Sequence, residues 1–210
     1  MSLREHTSHE FEVELESVRQ KIFEMGRHVD QVLESAGKAL MAGDSELGER
    51  IIAGDDETDS MELEIDHLCL EILARRQPVA GDLRLLTSAL KLVIDLERIG
   101  DLGVSIAGRV VELGREPPLI PYEDLLRMMT TAREMLAEAM EALKGQDVAR
   151  ASRVIDKDEV GRSEDGRVTG AHRSGKTEPG IEALLEQGKV ALHFRLFHWA
   201  PKRARQEPAQ

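Results

Sequence analysis

Apolar residues return every three or four positions from Phe11 onward: Phe11, Leu15, Val18, Ile22, Met25, Val29, Val32, Leu33, Ala36 and Leu40. That period puts them on one face of a helix predicted from about Thr7 to Met41. Gly43-Asp44-Ser45 ends this helix and supplies an N-cap for the next. A second helix is predicted from there to about Arg76, carrying Leu47, Ile51, Met61, Ile65, Leu68, Ile72 and Leu73, with a bend at Gly54-Asp55. Gln77-Pro78-Val79-Ala80-Gly81-Asp82 reads as a tight turn. A third helix is predicted from near Asp82 to about Leu113, with Leu85, Ala89, Leu92, Leu96, Ile99, Gly103 and Ile106 on one face. Two short connections make three antiparallel neighbours, hence a three-helix bundle over 7–113.

Gly114 to Pro121 holds three prolines and breaks helix, so it reads as a linker. A fourth helix is predicted from Tyr122 to about Lys144, and a fifth after Gly145-Gln146-Asp147. This block repeats the first. With Leu33 set on Leu136, Ala36 falls on Ala139, Ala39 on Ala142, Leu40 on Leu143, Asp44 on Asp147, Arg50 on Arg153 and Ile52 on Ile155. The fold class is therefore all-α: tandem three-helix bundles, the first complete and the second, over 122–160, incomplete. No third helix of the second bundle is legible. The stripe of Leu125, Met129, Leu136, Met140 and Leu143 is thus expected to lack its cover.

Composition agrees with helices packed on aliphatic side chains, since aromatics make up 3% of the chain and charged residues 32%. The formal charge of −12 argues against nucleic acid as a partner. No apolar run approaches the ~20 residues that span a bilayer, and no apolar signal segment opens the chain, so a cytoplasmic protein is expected. The single cysteine, Cys69, sits in an apolar run and reads as a core residue. The charge is not spread evenly. Residues 161–210 hold nine Lys or Arg against six Asp or Glu, a local +3 that leaves −15 for residues 1–160. Helical periodicity stops at the same place, and 161–210 reads as a divergent, disordered tail.

The acidic residues are arranged. Asp55, Asp59, Glu62 and Asp66 follow at spacings of four, three and four, which makes one stripe along the second helix. Glu97 and Asp101 lie one turn apart on the third. In an antiparallel pair folded about the turn near residue 80, Glu97 faces Glu62, and Asp101 faces the level of Thr58 and Asp59. Facing carboxylates repel unless neutralised. An oxygen-liganded divalent or trivalent cation (iron, manganese, magnesium or similar) would neutralise them. So would local basic residues on a solvated acidic face. His67 follows Asp66 directly and points off the stripe, which disfavours a histidine-assisted di-iron oxidase. No nucleophile elbow, zinc-hydrolase motif or Walker-type phosphate loop is present. Arg75, Arg76 and Arg84 cluster at the turn, either as cations complementing a helix C-terminus or as a contact for an anionic partner.

Leu73-Ala-Arg-Arg-Gln-Pro-Val-Ala-Gly-Asp-Leu-Arg-Leu-Leu86, followed by Leu96-Glu-Arg-Ile-Gly-Asp101, closely resembles the PhoU family. The resemblance covers about Phe11 to Val160. It implies a negative regulator of phosphate uptake and phosphate-starvation signalling, not an enzyme, that couples a phosphate ABC transporter subunit to a sensor histidine kinase. It implies a cytoplasmic site at the inner face of the membrane, reached only through protein partners, with a homodimer as a further candidate assembly. Some members bind cations through Glu/Asp-x-x-x-Asp pairs, a pattern that Glu97 to Asp101, Glu62 to Asp66 and Asp55 to Asp59 all match. No catalytic or organic-cofactor residue is expected. The alternative is a carboxylate-bridged metal protein with a redox or storage role. The family's second Leu-Glu-Arg-Ile-Gly-Asp motif is missing, so a second cation cluster is expected to be absent. A frameshift would produce a replacement tail of this kind.

Overall fold

The computed structural model describes residues 3–113 and 123–157, and every regular element among them is helical. Helix α1 spans Leu3–Ala42, α2 Ser45–Ala53, α3 Asp55–Arg76, α4 Ala80–Leu113 and α5 Glu123–Gly145, and the chain is helical again over 148–157. Two boundaries differ from the sequence reading. The second predicted helix is two helices, because Gly54 accommodates a break: its N–H is shared between the carbonyls of Arg50 and Ile51 at 3.2 and 3.1 Å. Helix α4 begins at Ala80, two residues before Asp82. Gln77 ends α3 in the left-handed conformation (φ 48°), leaving a connection of only three residues.

Helices α1, α3 and α4 enclose one aliphatic core. Leu15, Val18, Ile22, Met25 and Val29 of α1 meet Ile65, Cys69 and Ile72 of α3 and Leu86, Val93, Leu96 and Ile99 of α4. Burying a side chain of this size stabilises by about 1.5–3 kcal/mol. Close approach depends on small residues. A methyl group on Gly48 of α2 would stand 2.8 Å from Val111 Cγ2 and 3.1 Å from the Ala107 carbonyl oxygen of α4. At the turn end, Arg76 donates two hydrogen bonds to Glu14 at 2.9 and 2.8 Å and one to Glu10 at 3.3 Å, which ties α3 to α1. Arg75 pairs with Glu71 at 2.8 Å. Those two arginines thus serve internal pairs.

The repeat is visible in the hydrogen bonds. Asp44 Oδ1 accepts from Leu47 N–H at 2.9 Å, and Asp147 Oδ1 accepts from Arg150 N–H at 2.9 Å. The N–H of Asp44 reaches the Ala39 carbonyl at 3.0 Å, and that of Asp147 reaches the Ala142 carbonyl at 2.9 Å. Gly43 and Gln146, at the same place in the two turns, have φ of 61° and 50°. Each partner in the second turn lies 103 residues after its counterpart in the first.

The stripe of α5 is not left uncovered. Met129 and Leu136 are buried, and Met140 and Leu143 pack against the same core as α1, α3 and α4. The expectation of an open face fails because α5 lies along α1, where Arg133 pairs with Asp30 at 2.8 Å. Met135 and Ala139 on its other side pack with Val154 of the 148–157 helix. The side chain of Leu125 and the whole of 158–210, including the divergent tail, lie outside the described residues. No helix among the described residues is long and apolar enough to cross a membrane.

Candidate metal centre

The acidic stripe of α3 and the acidic turn of α4 meet because the helices touch there through Thr58 and Gly100. Thr58 is 1% exposed, and a methyl group on Gly100 would stand 3.0 Å from its Cγ2. From α1, His28 Nε2 lies 3.2 Å from Thr58 Oγ1, a third element fixing the same turn. His28 Nδ1 also lies 3.9 Å from Glu57.

Beside this contact, Asp55, Asp59 and Asp101 each offer a carboxylate oxygen, and all three atoms lie within 4.8 Å of one another. Asp59 and Asp101 are exposed and Asp55 is half-buried. Asp55 Oδ1 is buried without a hydrogen-bond partner among the described residues. Burial and then the charges of Asp101, Asp59 and Asp56 hold the Asp55 carboxyl above the usual range. Burial, followed by Asp59, Asp66 and Asp101, does the same to Glu62. Glu97 is pushed up to about 7, by burial first, then by the charge of Asp101 and a hydrogen bond shared with it, then by Glu62 and Asp59. In all three groups, the charges that raise the carboxyl belong to neighbouring carboxylates.

The structure therefore gathers Asp55, Asp59 and Asp101, with Glu62 and Glu97 next along the seam. Asp66 lies at its far end, where it acts on Glu62 and on Cys69. Cys69 is buried, and its thiol is pushed up to about 11 by that burial and by Asp66, so it offers no thiolate. Sequence reasoning placed Thr58 at the level of Asp101 but gave it no role, and it did not single out His28, which comes from a third helix and shares no spacing with the acids. Nor did it single out Asp95, which is 3% exposed within α4 among apolar positions.

The donor set is all oxygen. Three clustered carboxylates, one with a buried and unsatisfied oxygen, fit a hard cation such as Mg²⁺, Mn²⁺ or an iron ion. A cation would relieve both the mutual repulsion and the unsatisfied atom.

The PhoU domain model matches residues 22–110 and 125–167. The chain belongs to the PhoU family. The phosphate-specific transport system accessory protein PhoU homolog of Aquifex aeolicus is 38% identical over 147 residues, 70% of this chain and 66% of that protein. The Escherichia coli K12 accessory protein PhoU is 37% identical over 161 residues, 75% of this chain and 66% of that protein. The chain thus spans just under two thirds of the length of these relatives. Among solved structures, Pseudomonas aeruginosa PhoU superposes with a TM-score of 0.75 at 32% identity, covering 93% of this chain and 95% of that one. The phosphate transport system regulatory protein PhoU of Streptococcus pneumoniae gives 0.78 at 25% identity, covering 91% and 97%.

Proposed function

We propose that this chain is a regulatory adaptor of phosphate transport, acting by protein contacts and not by catalysis. Family membership carries the reading: relatives at 37–38% identity are named accessory proteins of the phosphate-specific transport system. In this reading the chain works at the cytoplasmic face of the membrane. It couples a phosphate ABC transporter subunit to a sensor histidine kinase and represses phosphate-starvation genes when phosphate is plentiful. Deleting the gene should switch on a phosphate-starvation reporter in phosphate-rich medium, and supplying this chain should switch it off. A reporter unmoved by the deletion refutes the adaptor role.

The geometry supports a second element of function at the seam of α3 and α4. Asp55, Asp59 and Asp101 are the ligands in this reading, with Glu62 and Glu97 completing or bridging the set and Asp66 at its edge. The supporting observation is the three oxygens within 4.8 Å together with the unsatisfied Asp55 Oδ1. An all-carboxylate set without imidazole suits a structural or regulatory cation better than oxygen-dependent redox cycling. Elemental analysis of the purified protein should find metal that an Asp59→Ala/Asp101→Ala variant lacks. Equal content in the two would remove the site.

A further inference from the structure

The contact between α1 and α5 has an internal symmetry that the repeat makes measurable. A methyl group on Gly26 would stand 2.5 Å from Met140 Cε, and one on Gly37 would stand 3.4 Å from Met129 Cε. Under the offset of 103 residues, Gly26 corresponds to Met129 and Gly37 to Met140. The two contacts are therefore reciprocal: position 26 meets the counterpart of 37, and position 37 meets the counterpart of 26. That relation defines an isologous, two-fold arrangement. Its axis must pass where a residue meets its own counterpart. Asp30 does so: it accepts two hydrogen bonds from Arg133, at 2.8 and 2.9 Å, and Arg133 is its counterpart. Glu34 adds a third acceptor at 3.3 Å. Leu33 and its counterpart Leu136, beside the axis, are buried in one cluster.

The geometry is symmetric but the chemistry is not. On this seam α1 contributes two glycine hollows and two acids, whereas α5 contributes two methionine knobs and a base. Pairing α1 with a second α1 would set hollow against hollow and Asp30 against Asp30. Pairing α5 with α5 would set Met against Met and Arg133 against Arg133. Only the unlike pair is complementary in both shape and charge, and specificity of this kind comes as much from the rejected pairs as from the accepted one. We infer that the α1 face at Gly26, Asp30 and Gly37 is a partner-selecting surface for α5. It takes α5 from its own chain or, by exchange, from a second copy, and it refuses a second α1. Association of two copies through this seam then occurs by exchanging α5.

The test is charge reversal in the full chain. Arg133→Asp sets three acids together at the axis and should lower the thermal midpoint by about 2–4 °C, the larger of the two single effects. Asp30→Arg should lower it less, because Glu34 still faces the two arginines. The double reversal should recover most of the loss. A mixture of the two single variants, unfolded and refolded together, carries complementary seams only in trans. It should yield a 1:1 heterodimer in native mass spectrometry that neither variant forms with itself. A double reversal no more stable than Arg133→Asp alone would overturn the charge lock. A co-refolded mixture without heterodimer would overturn selection in trans.

Discussion

Replacing Glu97 by Gln should make the protein more stable at pH 8 and leave it nearly unchanged at pH 4.5. The reason lies in the proton count. Glu97 has an ordinary pKa of 4.5 in the open chain and is pushed up to about 7 in the fold, by burial and by Asp101, Glu62 and Asp59. Between those values the folded protein binds more protons than the unfolded one, so stability falls as pH rises through the window and stays low above it. The whole difference would be worth about 3 kcal/mol. Glu97 is partly open to solvent, which screens the interaction and reduces the figure to about 1–2 kcal/mol. Gln removes the charge and can still donate a hydrogen bond to Asp101. Thermal unfolding followed by circular dichroism, without added metal, should show a midpoint higher by about 2–8 °C at pH 8 and a negligible difference at pH 4.5. Millimolar Mg²⁺ or Mn²⁺ should bring wild type at pH 8 toward the variant. A variant that is less stable at pH 8, or equally stabilised at both pH values, would refute the assignment of repulsion to this cluster.

Gly103→Leu should destabilise by about 1–3 kcal/mol, since even a methyl group there would stand 2.7 Å from the stiff Val32 side chain of α1. Gly108→Ala on the same helix meets nothing within 4 Å and should stabilise by about 0.5–1 kcal/mol, so chemical denaturation of the pair separates packing from helix propensity. Asp44→Ala and Asp147→Ala each remove one N-cap acceptor and should each cost about 0.5–2 kcal/mol. Hydrogen exchange should place the first loss at the start of α2 and the second in 148–157.

The first bundle was legible because each of its signals is local. Periods of three and four residues mark α1, α3 and α4, Asp44 caps where a cap was expected, and short connections leave only antiparallel neighbours. The facing of α3 and α4 could even be computed from the turn, and contact of Thr58 with Gly100 sits at the level that places Asp59 beside Asp101. The landing of α5 was not legible. Its stripe demands burial, but a stripe does not name its cover, and the expected cover was a missing helix of its own bundle. The receiving surface is Gly26 and Gly37, which a search for apolar periodicity passes over because a hollow contributes no hydrophobicity. The repeat held the missing information, but only a structure shows that counterparts touch.

The candidate centre divides in the same way. Which carboxylates meet follows from helical spacing and one turn. What supports them does not, since His28 comes from a third helix whose facing is set by tertiary packing. Its position also joins the two halves of the molecule. His28 reaches Thr58, next to Asp59, while Asp30, two residues further along α1, holds Arg133 of α5. A helix is stiff over two residues, so a shift of α1 that moves one contact must move the other. Closing the carboxylate cluster on a cation would draw α3 toward α4, and α1 is packed against both through Thr58 and Gly103. The level of α1 that senses such a change is also the level of the α1–α5 axis. On the proposal that a cation binds there, its occupancy and the strength of the seam between the repeats are linked through α1, and an equal thermal gain from Mg²⁺ in wild type and in Arg133→Asp would refute that link.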